Sequence, residues 1–135
     1  KGVAILLTVG TGIGSAVFID GKLFPNTELG HLEIRGKDAE RRASDATKSR
    51  KKWTWDEWAM RFQEVISTYE RLFSPDVFII GGGASKYFSE YEKFLRSRAE
   101  IVPAQLLNQA GLVGAAIYAH RSDSLLKSSK NQKKA

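Results

Sequence analysis

The chain has 135 residues, of which 42% are hydrophobic and 27% charged, with a net charge of +6 and no cysteine. That length allows one compact domain with a real core. Disulfides and thiolate zinc sites are excluded, no apolar run approaches a membrane span, and no signal-peptide pattern opens the chain. A reducing, cytoplasmic setting is the expectation. The chain starts KGVAILL, without Met, and enters a strand at once. It reads as a piece of a longer protein.

Residues 3–7 (VAILL) predict a buried strand, and 16–19 (AVFI) a second one. Asp20-Gly21 is a hairpin signal before Lys22-Leu23-Phe24. Pro25-Asn26 breaks the pattern. Residues 31–34 are expected as a short strand, and 38–48 as a short polar helix. The spacing predicts a longer helix over 53–73, where Trp55, Trp58, Phe62, Val65, Ile66, Tyr69, Leu72 and Phe73 recur three and four apart. Thr54 is its expected N-cap, with Glu57 three residues on, and Ser74-Pro75 ends it. That periodicity assigns the tryptophans to a core rather than to a ligand platform. Residues 76–80 (DVFII) predict a strand and 85–98 a helix, with Phe88, Tyr91 and Leu95 on one face. Ile101-Val102 is a short strand ended by Pro103, and 110–120 (AGLVGAAIYAH) a closely packed helix. The basic residues after it, among them Lys127, Lys130, Lys133 and Lys134, lie in a tail over 121–135 that is expected to be disordered. Hairpin strands followed by α-β-α-β-α indicate an α/β domain with a mixed sheet.

Two glycine-rich turns stand out. VGTGIGSA (9–16) places Gly10, Gly12 and Gly14 between two strands. Glycine lets backbone N–H groups approach a ligand closely and admits positive φ. Successive N–H groups form an anion-binding concavity, to which Thr8, Thr11 and Ser15 add hydroxyls. The spacing is not G-x-G-x-x-G and a strand follows it, so the dinucleotide fingerprint fails; no G-K-[ST] makes it a Walker loop. A hairpin alone needs one or two glycines, and phosphate contact is the favoured reading. Gly81-Gly82-Gly83 separates a predicted strand from a predicted helix, at the strand end where α/β ligands bind and where a helix N-terminus attracts anions. A sterically tight turn accounts for it equally well.

Between these turns, Glu28, His31, Glu33 and Glu40 crowd a short segment (NTELGHLEIRGKDAE). Carboxylates and a neutral imidazole suit sugar hydroxyls, and they can also ligate metals, although the spacing matches no zinc motif. Taken singly, each reads as an exposed surface residue.

LLTVGTGIGSAVFIDGKL, ELGH, SPDVFIIGGGASK and AGLVGAA, in that order, resemble the C-terminal half of ROK-family sugar kinases, and most of all their polyphosphate glucokinase branch (polyphosphate/ATP-glucose phosphotransferases). The resemblance covers residues 1–120. It implies the C-terminal lobe of an actin-like, ribonuclease-H-like kinase that transfers a phosphoryl group from polyphosphate or ATP to the 6-hydroxyl of glucose, with Mg²⁺ on the donor. Gly10, Thr11, Gly12 and Gly14 would hold the donor phosphates. Glu28, His31 and Glu40 would bind the sugar, and Gly81, Gly82 and Gly83 would form the nucleotide-side loop. The family's zinc cysteines are missing, as in the polyphosphate branch, and no metal site is expected in the chain itself. The family's D-x-G-G-T loop and catalytic aspartate have no counterpart here, so no catalytic residue is assigned and the chain alone is expected to be inactive without an N-terminal lobe.

The resemblance also gives the cluster Arg41, Arg42, Lys48, Arg50, Lys51 and Lys52 a meaning, as a track for polyphosphate held by salt-sensitive contacts. A solvated helix face would carry the same charges. Two further readings stay open. One is the sugar-binding lobe of a ROK-like transcriptional regulator. The other is a non-catalytic interaction domain, with the 53–73 helix exposing its aromatic stripe to a missing lobe or a second subunit. Glucose, polyphosphate or ATP, the N-terminal lobe and a second copy in a homodimer are the expected partners; neither a membrane nor a nucleic acid is.

Overall fold

The computed structural model describes residues 2–104. The helix expected at 110–120 and the tail at 121–135 lie outside the described residues. The first apolar run extends to Val3–Val9 (β1), and the second strand is Ile13–Ile19 (β2), three residues earlier than its apolar core suggested. Cross-strand pairing carries β2 through Gly14, which stands opposite Thr8. A two-residue turn, with positive φ at Asp20 and Gly21, leads to Lys22–Phe24 (β3). Both φ signs are those of a tight hairpin turn matched to strand twist.

Residues 28–51 form small pieces rather than one strand and one helix. A single 3-10 turn covers Leu29–His31. Glu33–Ile34 (β4) and Lys37–Asp38 (β5) then pair in a miniature hairpin. The expected helix over 38–48 divides into Ala39–Ala43 (α1) and Asp45–Lys51 (α2). Ser44 causes the division: its backbone is extended, and its hydroxyl accepts from Thr47 N–H to cap α2. Serine competes for local backbone bonds, which favours caps over helix interiors.

Trp55–Phe73 (α3) is the long helix, opened by Thr54 with both halves of a capping box. Glu57 N–H donates to Thr54 Oγ1, and Thr54 N–H donates to Glu57 Oε2 at 2.8 Å. Trp58, Ala59, Phe62, Val65, Ile66 and Tyr69 are buried on one face, each large side chain contributing roughly 1.5–3 kcal/mol of transfer free energy. Within the described residues the stripe is therefore spent on this domain's own core, as its spacing predicts, and not on the alternative of an exposed docking face. Leu72 and Phe73, at the last turn, do remain exposed.

Val77–Gly81 (β6) is buried at every position and runs parallel to β1. After it the chain departs from the expected 85–98 helix. A 3-10 stretch (Gly83–Tyr87), one turn of α-helix at Phe88–Tyr91 (α4) and a further 3-10 turn (Glu92–Phe94) replace it. Tyr91 and Leu95 are still buried, so the apolar face was legible although its period was not held. Glu100–Pro103 (β7) pairs parallel with β6 at the sheet edge, where a strand proline costs no ladder bond on the open side. The sheet order is β3-β2-β1-β6-β7, antiparallel on one side of β1 and parallel on the other. This is the expected mixed α/β sheet. The main core packs α3 and α4 on one face of it. Among the described residues no helix is long and apolar enough to cross a membrane.

Candidate functional site

β1 and β6 are parallel neighbours, so the two glycine-rich turns leave the sheet side by side. They touch: a Cβ on Gly82 would stand 2.7 Å from Val9 O and 2.8 Å from Val9 N. Gly82 also has φ of 76°, a region open to glycine. No regular helix of useful length follows, so the anion attraction expected from a helix N-terminus is absent at this turn.

The glycines of the first turn act through space rather than through positive φ. Gly10, Gly12 and Gly14 are not among the residues with positive φ. A Cβ at Gly12 would lie 2.5 Å from Glu40 Oε2, and one at Gly14 would lie 2.5 Å from Thr8 Oγ1. Gly10 faces open space. Its N–H and carbonyl are both engaged, the first with Gly12 O at 3.0 Å and the second with Ala46 N–H at 3.1 Å. Ser15, expected among the phosphate donors, is used elsewhere. Its Oγ lies 2.9 Å from Thr27 Oγ1 and accepts from Leu29 N–H at 3.1 Å, which ties the 27–29 segment to β2.

That tie brings the middle segment to the glycine turn. A cleft of about 350 Å³ is lined by Thr8, Gly10, Thr11, Gly12, Ile13, Gly14, Glu28, Glu40 and Gly82. Glu40 is its pivot. Oε2 accepts from Ile13 N–H at 3.2 Å, while Oε1 lies 3.8 Å from His31 Nδ1. His31 Nε2 in turn lies 3.7 Å from Glu28 Oε2. Glu28, His31 and Glu40, twelve residues apart at their ends, thus form one cluster. Glu33 points elsewhere, lining a separate cavity with Gln63, Glu64 and Arg71.

Two buried aromatic residues set this cluster in place. Tyr69 OH donates to Leu29 O at 2.5 Å, and Trp58 Nε1 donates to Ala43 O at 2.8 Å. The first holds the Glu28–His31 turn and the second the end of α1, which carries Glu40. Burial, and next the Glu40 charge, push the Tyr69 hydroxyl well above the usual tyrosine range, so it stays a donor. Spacing identified both residues as core; their polar handles had no signal in the sequence. Asp38 was likewise overlooked, and its Oδ2 stands 3.4 Å from His31 Nδ1. His31, Asp38 and Glu40 each offer a ligand atom within 4.8 Å of the others.

The basic group is less uniform than its sequence. Arg42 is mostly buried and its Nη2 donates to Glu64 Oε2 at 2.6 Å, which removes it from any exposed track. Lys48 Nζ sits 4.0 Å over the Trp55 ring, and Trp55 stacks on Tyr87. Arg41, Arg50, Lys51 and Lys52 are exposed.

Comparison with known proteins bears on the fold and on the branch of kinases that the chain resembles. No family model matches the chain. In fold, a ROK-family glucokinase from Streptomyces griseus, solved with glucose and AMPPNP, superposes with a TM-score of 0.57 at 23% identity, over 88% of this chain and 61% of that one. The domain has the α/β C-terminal-lobe fold of the actin-like sugar kinases. More particularly, it is 48% identical to the polyphosphate glucokinase of Mycobacterium tuberculosis (strain CDC 1551 / Oshkosh) over 116 residues, 86% of this chain and 44% of that protein. The inorganic polyphosphate/ATP-glucomannokinase of Arthrobacter sp. strain KM superposes with a TM-score of 0.79 at 53% identity, over 90% of this chain and 48% of that one. The resemblance read from the motifs, to the polyphosphate glucokinase branch of the ROK sugar kinases, is thereby borne out. The chain spans about half the length of these relatives.

Proposed function

We propose that the chain is the lobe of a glucokinase that holds the phosphoryl donor on its glycine turn and glucose on the Glu28–His31–Glu40 cluster. The observation that carries this is Glu40, which bonds the glycine turn through one oxygen and faces the proposed sugar ligand His31 with the other. A donor phosphate and an acceptor hydroxyl must meet within bonding reach, and phosphoryl transfer depends chiefly on such positioning and on charge stabilisation.

In this reading Gly10, Thr11, Gly12 and Gly14 line the phosphate side, with Gly81, Gly82 and Gly83 beside them. The open space at Gly10 suits the close approach of a phosphate. Mg²⁺ would arrive on the donor and shield its charge. Hard oxygen ligands suit it, and Asp45 offers one beside the second turn: a Cβ on Gly83 would stand 3.2 Å from Asp45 Oδ2. The transfer also needs a base for the attacking hydroxyl, and we assign none to this chain. It supplies one wall of a cleft whose other wall is the N-terminal lobe. Polyphosphate beyond the reacting group would run over Arg41, Lys48, Arg50, Lys51 and Lys52. A reducing, cytoplasmic setting and a homodimer remain part of the proposal. The kinase reading is favoured over the transcriptional regulator by 48% identity to a polyphosphate glucokinase.

The test is phosphoryl transfer to glucose by the full-length protein, with polyphosphate and ATP supplied separately, beside this chain alone. Turnover by the full-length protein only is the expected result. Sugar binding without transfer from either donor would refute the kinase reading in favour of a sugar-sensing module.

A further inference from the structure

Asp38 immediately precedes α1, where aspartate is a preferred cap because its oxygen accepts from the first free N–H groups. Here the side chain makes no cap bond. Its Oδ2 instead lies 3.4 Å from His31 Nδ1. The intervening chain is built to allow this. Glu33 pairs with Asp38 and Ile34 with Lys37, and the connecting turn has φ of 52° at Arg35 and 83° at Gly36. Such a turn reverses the chain in the fewest residues. Ile34 is buried in the core, and Ala39 N–H donates to Leu32 O at 2.8 Å, closing the base of the hairpin. One face of the hairpin is anchored and the other carries Asp38 back to the imidazole.

We propose that Asp38 is a positioning residue for His31: it holds the neutral imidazole as the Nδ1–H tautomer, so that Nε2 accepts a hydrogen bond from a sugar hydroxyl. This rests on the sugar-site reading above. An ionised carboxylate can only accept, so a neutral ring facing it must place its proton on Nδ1. The bond made by one ring nitrogen sets the role of the other. Glu40 Oε1, 3.8 Å from the same nitrogen, acts in the same sense. Nε2 is left on the Glu28 side, at 3.7 Å from its carboxylate, so that two neighbouring sugar hydroxyls can each donate, one to Nε2 and one to Glu28. The same three ligand atoms could instead hold a cation, and the experiment separates the two.

The tautomer is read from long-range ¹H–¹⁵N correlation spectra of the chain at alkaline pH with a chelator present. His120, the second histidine of the sequence, is replaced by glutamine to leave one imidazole. The expected result is Nδ1–H in the parent, Nδ1–H in Asp38→Asn (whose amide oxygen still accepts) and a shift toward Nε2–H in Asp38→Ala. An unchanged tautomer in Asp38→Ala overturns the proposal. So does a parent signature that appears only when Zn²⁺ or Mg²⁺ is added, which would make the cluster a metal site. Glucose titration of the full-length protein gives the second readout: roughly tenfold weaker binding in Asp38→Ala and near-parental binding in Asp38→Asn. If the tautomer shifts as expected but the parent binds no glucose, the sugar reading fails while the positioning of His31 is upheld. If glucose binds and the tautomer ignores Asp38, the positioning fails alone.

Discussion

Glu40 accepts a hydrogen bond from the backbone N–H of Ile13 at 3.2 Å, across 27 residues of sequence. The bond joins the end of the glycine turn to α1. Replacing Glu40 by glutamine keeps an acceptor for Ile13 and removes the charge. Glu40→Gln is expected to leave the melting temperature of the chain nearly unchanged and to weaken glucose binding to the full-length protein by about tenfold. Calorimetric titration beside a thermal melt checks both. A variant that loses stability but not affinity would show that the carboxylate serves the fold alone.

The glycine turn predicts a graded series. A methyl at Gly10 meets open space, a methyl at Gly12 meets the Glu40 carboxylate, and a methyl at Gly30 would lie 2.1 Å from Ile13 O. Gly30→Ala forces backbone apart and is expected to cost about 1–3 kcal/mol of stability. Gly12→Ala can be relieved by turning a side chain away, so its loss falls on sugar binding instead. Gly10→Ala is expected to keep stability and sugar affinity while weakening donor binding. Denaturant unfolding and separate donor and sugar titrations would expose any departure from that order.

Arg42 and the exposed lysines divide the basic cluster into two experiments. Removing Arg42 leaves Glu64 without its closest cation in a partly buried position, where breaking a pair costs roughly 3–5 kcal/mol at the buried limit. Arg42→Ala is therefore a stability variant, read by chemical denaturation. Lys51→Glu with Lys52→Glu changes exposed charge only. It is expected to weaken polyphosphate binding and flatten its salt dependence without altering unfolding. An unaltered salt dependence would leave α2 a plain solvated helix.

Glu70 carries the pH dependence that the structure makes legible. The Arg98 backbone N–H donates to its Oε1 at 2.7 Å and holds the carboxyl below the usual glutamate range, with the Arg98 side chain assisting. A depressed native value means that the unfolded chain binds the proton more readily. Stability from this group is thus complete above the unfolded value, roughly 4.3, and is lost as pH falls through the lower native one. Glu70→Gln is expected to flatten the acid limb of the stability profile below about pH 5. An acid limb of unchanged slope would sever Glu70 from the acid response.

The elements that proved legible are those whose signal is local. The capping box at Thr54 and Glu57, the Asp20-Gly21 turn and the β6 apolar run each dictate their own conformation, and each was found where expected. Ser44 shows the opposite case. It sits inside a polar run with good helical residues on both sides, and only the competition for Thr47 N–H divides it. The 85–98 segment kept its buried Tyr91 and Leu95 but not a continuous helix, because burial fixes which side chains face inward more firmly than it fixes backbone period. At the site, the residue types of Glu28, His31 and Glu40 were readable. Their meeting was implied only by the resemblance and not by the residues themselves, since it depends on Ser15, Tyr69 and Trp58 bonding to main-chain groups far along the chain.

Gly82 lies against Val9 with no room for even a methyl group between them. Two turns that leave adjoining strands of one sheet, pressed together backbone to backbone, cannot slide past each other. They behave as a single jaw. If the chain works as proposed, the motion that admits a donor and releases a product comes from other parts of the cleft, and the spacing between the two turns is set when the domain folds.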